Sequence, residues 1–156
     1  MKKYFYIILT ILFFVSCNES NSSKLDSDDY EDQAERIERL KIEIISFSDI
    51  KDAEFELFNV NGFHGQRTSL SGPGASSWDY KFVVKIDTVD ISKWTAGMKE
   101  VKLKDYDDNW TKEITESRKE NWQTISTPLY FERNGENVMS IVYKNEGIIY
   151  KRVINS

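Results

Sequence analysis

A single cysteine, Cys17, in 156 residues denies this chain any internal disulfide, so an apolar core alone must hold its fold. That cysteine closes a segment unlike the rest of the chain. Lys2 and Lys3 give a basic start, and Tyr4 to Val15 form an uncharged apolar run of twelve. A membrane-spanning helix needs about 20 apolar residues for about 30 Å of hydrocarbon, so this run is too short to be one. Basic start, short apolar core and a small residue at the exit make residues 1–16 a secretory signal peptide, set aside from fold reasoning.

The exit reads Phe14-Val15-Ser16-Cys17. It resembles the lipobox of bacterial lipoproteins, departing from the commonest pattern at Phe14, where leucine is usual. The resemblance covers about the first seventeen residues, and it implies cleavage between Ser16 and Cys17 with diacylglycerol on the Cys17 thiol. One acyl chain binds a bilayer only reversibly, whereas the fully modified cysteine carries enough chains for stable anchoring. Lipidation would also consume the only thiol, removing zinc–thiolate sites and cysteine catalysis. The implied location is the cell envelope, on the outer membrane of a Gram-negative bacterium, facing the periplasm or the surface. In some such lipoproteins acidic residues soon after the cysteine route the protein to the surface, and Glu19 with Asp26-Ser27-Asp28-Asp29 fit that pattern.

Losing Lys2 and Lys3 with the signal takes the formal charge from −5 to −7. That balance argues against nucleic acid, whose backbone is bound by Lys and Arg, and against electrostatic adhesion to anionic lipid. The expected partners are therefore the membrane, through the lipid, and a protein or small polar ligand.

Residues 17–29, CNESNSSKLDSDD, hold one large apolar residue, Leu25, and read as a flexible polar tether. Residues 30–156 then make one globular domain. Tyr30, Ala34, Ile37, Leu40 and Ile44 recur at spacings of three and four, predicting a helix over about 29–43 capped by Asp28. Asp32–Arg36 and Glu35–Arg39 fall at i,i+4 on its polar side. Alternation over 54–59 and 80–87 predicts strands, and Asp90 to Gly97 a short helix with Ile91 and Trp94 inward. Leu129 to Arg133, Val138 to Lys144 and Ile148 to Ile154 form a meander, separated by Asn134-Gly135-Glu136-Asn137 and Asn145-Glu146-Gly147. The expected class is α+β: an antiparallel sheet ending in a C-terminal three-strand meander, with helices on one face.

Two stretches carry candidate chemistry. The connection over 61–77, NGFHGQRTSLSGPGASS, is long for a compact domain and holds the only histidine. Phe63, His64, Arg67 and Trp78 give it aromatic, cationic and hydrogen-bonding groups, a candidate binding loop that equally reads as a surface loop without a ligand. No phosphate-loop pattern and no G-x-S-x-G elbow accompanies it. Farther on, Asp105, Asp107, Asn109 and Glu116 occupy positions one, three, five and twelve of a calcium loop. Trp110 stands where that loop requires glycine and Lys112 where it is apolar, so the plainer reading is a solvated turn. With one histidine and no free thiol, no other metal site and no cofactor are assigned. Trp110, Ile114 and Trp122 mark a further helix at about 111–119 or an irregular excursion ending at Pro128.

Three function classes remain: a non-enzymatic envelope lipoprotein that binds a partner, an immunity or inhibitor lipoprotein against a toxin or lytic enzyme, and a wall- or carbohydrate-active hydrolase. The first is expected. An acidic surface steering a basic enzyme supports the second, and abundant carboxylates leave the third open.

Overall fold

The computed structural model describes residues 23–63, 77–102 and 108–155. In chain order these form β1 (Lys24–Asp26), α1 (Gln33–Glu43), β2 (Asp52–Asn59), β3 (Trp78–Lys85), α2 (Ile91–Trp94), β4 (Lys99–Val101), α3 (Asn109–Glu113), β5 (Leu129–Glu132), β6 (Val138–Tyr143) and β7 (Ile148–Asn155). The strands make one seven-stranded sheet in the order β1-β2-β3-β7-β6-β5-β4, antiparallel at each pairing. The class is α+β, with the C-terminal meander β5-β6-β7 as expected. Among the described residues no helix is long and apolar enough to cross a membrane.

The last strand lies mid-sheet, between β3 and β6, and that position explains its sequence. Ile148, Ile149, Tyr150 and Lys151 are buried in succession, because helices cover both faces of the sheet there. On one face Ala53, Phe55, Leu57, Phe82, Val84, Val142 and Ile149 pack with Leu40, Ile91 and Trp94. On the other, Val83, Ile141, Ile148 and Tyr150 pack with Trp110, Ile114 and Trp122. The expectation of helices on one face is thus corrected. α3 and the 3-10 turn Glu116–Trp122 form a second layer, because two tryptophans supply enough apolar area to cover that face. The indole N–H groups of Trp110 and Trp122 find no acceptor among the described residues, so this layer rests on buried area.

The N-terminal expectations need three corrections. Residues 24–29 are not tether: Leu25 pairs with Leu57 and is buried, and Ser27 is buried in a 3-10 turn. Residues 17–22 lie outside the described residues. The helix starts at Gln33, capped by Asp32, whose carboxylate accepts the Glu35 N–H at 3.0 Å. Asp28 cannot cap it, because its carboxylate takes Ser117 Oγ at 2.6 Å and Arg118 Nη1 at 3.3 Å. Finally, the expected i,i+4 pairs give way to Arg39–Glu43 at 3.5 Å, while Arg36 turns inward. Farther along, Asp90 makes no capping bond and pairs instead with Lys93 at 2.6 Å.

Arg36 turns inward because β1 is too short to cover all of β2. Beside residues 52–54 the strand edge would be open, and Arg36 plugs it. Its Nε donates to the Ala53 carbonyl at 3.2 Å, Nη1 to the Glu31 carbonyl at 2.9 Å, and Nη2 to Asp52 Oδ1 at 3.2 Å. Glu54 Oε1 lies 3.5 Å from the same Nε, and Arg118 Nη1 donates to Glu54 Oε2 at 2.8 Å. Arg118 Nη2 also donates to the Tyr30 carbonyl at 3.0 Å, so both guanidiniums clamp the 28–32 segment onto the sheet. Burial pushes the Glu54 carboxyl above its ordinary range, against the pull of the Ser27 hydroxyl, Arg36 and Arg118.

At the far end of the sheet Glu146 performs a smaller clamp. Its carboxylate accepts the Ile125 and Ser126 N–H groups at 3.0 and 2.9 Å, and the Ser126 hydroxyl. That hydroxyl, with the Ile125 amide, holds the carboxyl below its ordinary value of 4.5.

Two outcomes follow. Arg36→Ala leaves buried Asp52 without its cation, Glu54 with Arg118 alone, and the Ala53 carbonyl without its guanidinium donor, and should lower urea-denaturation stability by about 3–5 kcal/mol. Lys41→Ala, at an exposed pair, should stay within about 0.5 kcal/mol; a loss under about 1 kcal/mol for Arg36→Ala would contradict the plug. For Glu146 the folded pKa is depressed, so its contribution is present above the unfolded value and lost as pH falls through the folded one. Glu146→Gln should therefore unfold at a lower temperature at neutral pH, yet lose less stability than the parent between about pH 5 and 3. Parallel pH curves for the two proteins would contradict the clamp.

Candidate functional site

The β5–β6 hairpin and the end of β7 enclose an open cleft of about 380 Å³. The turn over 133–137 closes through Gly135 at φ +75°, a conformation favouring glycine, with Glu136 N–H donating to the Arg133 carbonyl at 3.2 Å. The Ile154 N–H donates to the Asn137 carbonyl at 2.9 Å, which draws the end of β7 under the turn. Ile154, Met139 and Val138 supply the apolar lining, and Asn134 and Asn137 supply amides.

The cations of the cleft are set differently. Arg152 is locked: its Nε and Nη2 donate to Asp79 Oδ1 and Oδ2 at 2.9 and 2.7 Å, a bidentate pair with both partners partly buried. Arg133 is held more loosely, by Glu136 at 3.2 Å on the exposed turn. Register places Arg152 within a row that crosses the sheet through Asp26, Glu56, Lys81, Met139, Glu132 and Lys99. Lys81 and Glu56 pair at 3.3 Å within it. Asp26, beside Glu56, has its carboxyl raised by burial and then by Asp28 and Glu56, against the pull of the Asp28 amide. This row lies on the same face as the tryptophan layer, and its side chains are half-buried or exposed. A fixed guanidinium, a movable one, carboxylates and amides over an apolar floor suit recognition of a polar group with some apolar contact.

The residues singled out in the sequence fall elsewhere. Phe63 packs on Tyr80, ring centroids 6.0 Å apart, and joins the edge of the α1-side core. Trp78 opens β3, half-buried, opposite Asn59 and Asn155. His64 and Arg67 lie outside the described residues, as do Cys17, Asp105 and Asp107. Asn109 begins α3 and Glu116 begins the 3-10 turn behind it. Helix therefore occupies positions five to nine of the supposed calcium loop, and Trp110, at the position that must turn sharply, is a core side chain at 3% exposure. That candidate is dropped. Trp94 is a core anchor, its indole N–H donating to Ser48 Oγ at 2.9 Å.

The sequence reading missed the cleft because its residues come from a turn read only as a turn and from alternate positions of β7. The available signal was the Lys151-Arg152 pair, two cations interrupting an otherwise apolar strand. No known protein family matches the chain, and neither a curated protein nor a solved structure does.

Proposed function

We propose that the chain is a bacterial envelope lipoprotein, cut before Cys17 and anchored by lipid there, whose domain is a non-enzymatic binding module. Its recognition site is the β5–β6 cleft, and its ligand is a small polar molecule or a polar segment of a partner protein. The observation that carries the binding reading is the pairing of a locked Arg152 with an apolar floor in one open cleft. A guanidinium held in place by a carboxylate loses little freedom on binding, so its hydrogen bonds to a ligand keep most of their strength.

The anchor reading rests on the basic start, the short apolar run and the Phe14-Val15-Ser16-Cys17 exit. Strand β1 bears on the consequence. Six residues separate Cys17 from Lys24, a reach of at most about 25 Å. Lys24 enters beside Phe58, whose row continues through Asp79 to Ile154 and so to the cleft. Anchored at Cys17, the domain would turn its cleft end toward the bilayer and bind close to the membrane surface.

Two measurements test the two halves. Cys17→Ser should abolish lipid labelling and membrane fractionation; retention of both would contradict the anchor. A photoreactive residue replacing Asn134 at the cleft should trap a partner in the envelope, and adding Arg152→Ala should reduce the yield about ten-fold or more, as loss of a charged hydrogen bond does. An equal yield from the same probe at exposed Glu120 would contradict the cleft.

A further inference from the structure

Among the described residues the buried charged side chains are Arg36, Asp52, Glu54 and Lys151. The first three pair with one another, Arg118 supplying the second positive charge, whereas Lys151 stands apart on the middle strand, at 7% exposure. It makes no ion pair among the described residues, and the group over its ammonium is the Phe47 ring, 5.6 Å from Nζ to centroid. Phe47 is itself 39% exposed, which puts the ammonium about one side chain below the surface.

A second polar group faces the same space. Ser140 is the register partner of Lys151 on β6, and directly opposed side chains on neighbouring strands sit about 5 Å apart at Cβ. Ser140 is 1% exposed, yet among the described residues its hydroxyl finds only the Met98 sulfur, at 3.7 Å, a poor acceptor. Phe82 flanks Lys151 on one side of the row, and Phe131 flanks Ser140 on the other. A largely buried lysine and a buried hydroxyl thus stand side by side among aromatic rings, with no carboxylate of the described residues in ion-pair contact with the ammonium.

We propose that Lys151 and Ser140 form a binding site for an organic carboxylate with an apolar body. The ammonium and hydroxyl take the carboxylate, and Phe47, Phe82, Phe131 and Met98 take the body. One cation and one hydroxyl match a single negative charge, whereas a phosphate dianion would need more donors. The site lies on the opposite face of the sheet from Arg152. Burial, with Arg133 adding to it and Glu136 opposing it from the hairpin turn, pushes the Lys151 amine down to about 8, which raises its share of nucleophilic free amine near neutral pH.

The test uses the purified full chain and 4-phenylbutyrate, with 4-phenylbutanol as the same body without charge. Acetylation is followed by mass spectrometry at Lys151, with exposed Lys144 as internal reference. At about ten times its Kd, the carboxylate should slow Lys151 acetylation about ten-fold and leave Lys144 unchanged, whereas the alcohol should protect neither. Equal rates at Lys151 with and without the carboxylate, or equal protection by the alcohol, would overturn the proposal. Lys151→Met supplies the second reading. Without a ligand it should raise the unfolding midpoint, because it replaces a largely buried amine with an apolar side chain of similar length, and 4-phenylbutyrate should no longer raise that midpoint. A fall in the ligand-free midpoint would assign Lys151 a structural partner and overturn the site.

Discussion

Two guanidiniums meeting at one buried carboxylate hold the N-terminal quarter of this domain onto its sheet. Glu54 sits on β2 at 1% exposure between Arg36, from the first helix, and Arg118, from the kinked turn on the other face. The Tyr30 carbonyl receives both arginines. Without a disulfide, the chain must fix its edge strand some other way, and three residues of β1 pairing cannot do so by themselves. The network supplies what length does not. Such groups are poor sources of net stability but enforce one arrangement, since any other leaves a buried charge unpaired.

That constraint decides where binding surfaces are left. With α1 drawn down by Arg36 and the tryptophan turn drawn in by Arg118, both faces of the sheet are covered over their centre. What stays open on the tryptophan face is the half carrying the charged row and the cleft, at the end where β1 enters. On the helix face Lys151 lies beneath Phe47, with Ser140 opposite it on β6. Both sites thus fall where the layers stop, and both lean on β7, the strand most fixed by its neighbours. A central strand gives a binding side chain little freedom to lose.

Much of the fold was legible in the sequence. The alternation from Tyr80, the turns at Gly135 and Gly147, and the spacing around Leu40 are local signals with local causes, and each led to the correct kind of element. Gly147 shows how strict such a signal is: at φ +67° an added Cβ would stand 2.4 Å from the Ile86 carbonyl oxygen. What stayed hidden was set by partners distant in sequence. Arg36 looked solvated because an i,i+4 acid stands beside it, while the acids that bind it lie 16 and more residues away. Residues 24–29 looked like tether because Leu25 is their one large apolar residue, but one leucine opposite Leu57 is enough for an edge. Lys151 and Arg152 adjoin in sequence and face opposite sides of the sheet, and only the register reveals which residues each meets there. The candidate loop fared as local reasoning does: Phe63 and Trp78 are placed in the structure, and neither lines the cleft.

The clamp is tested most directly by native-state hydrogen exchange on the Arg118→Met chain. If the two arginines hold the N-terminal segment, amides of β1 and of the Ser27–Asp29 turn should lose protection, while those of β3 and β7 keep it. Uniform loss across the sheet, or unchanged protection in β1, would contradict the claim that this network fixes the edge.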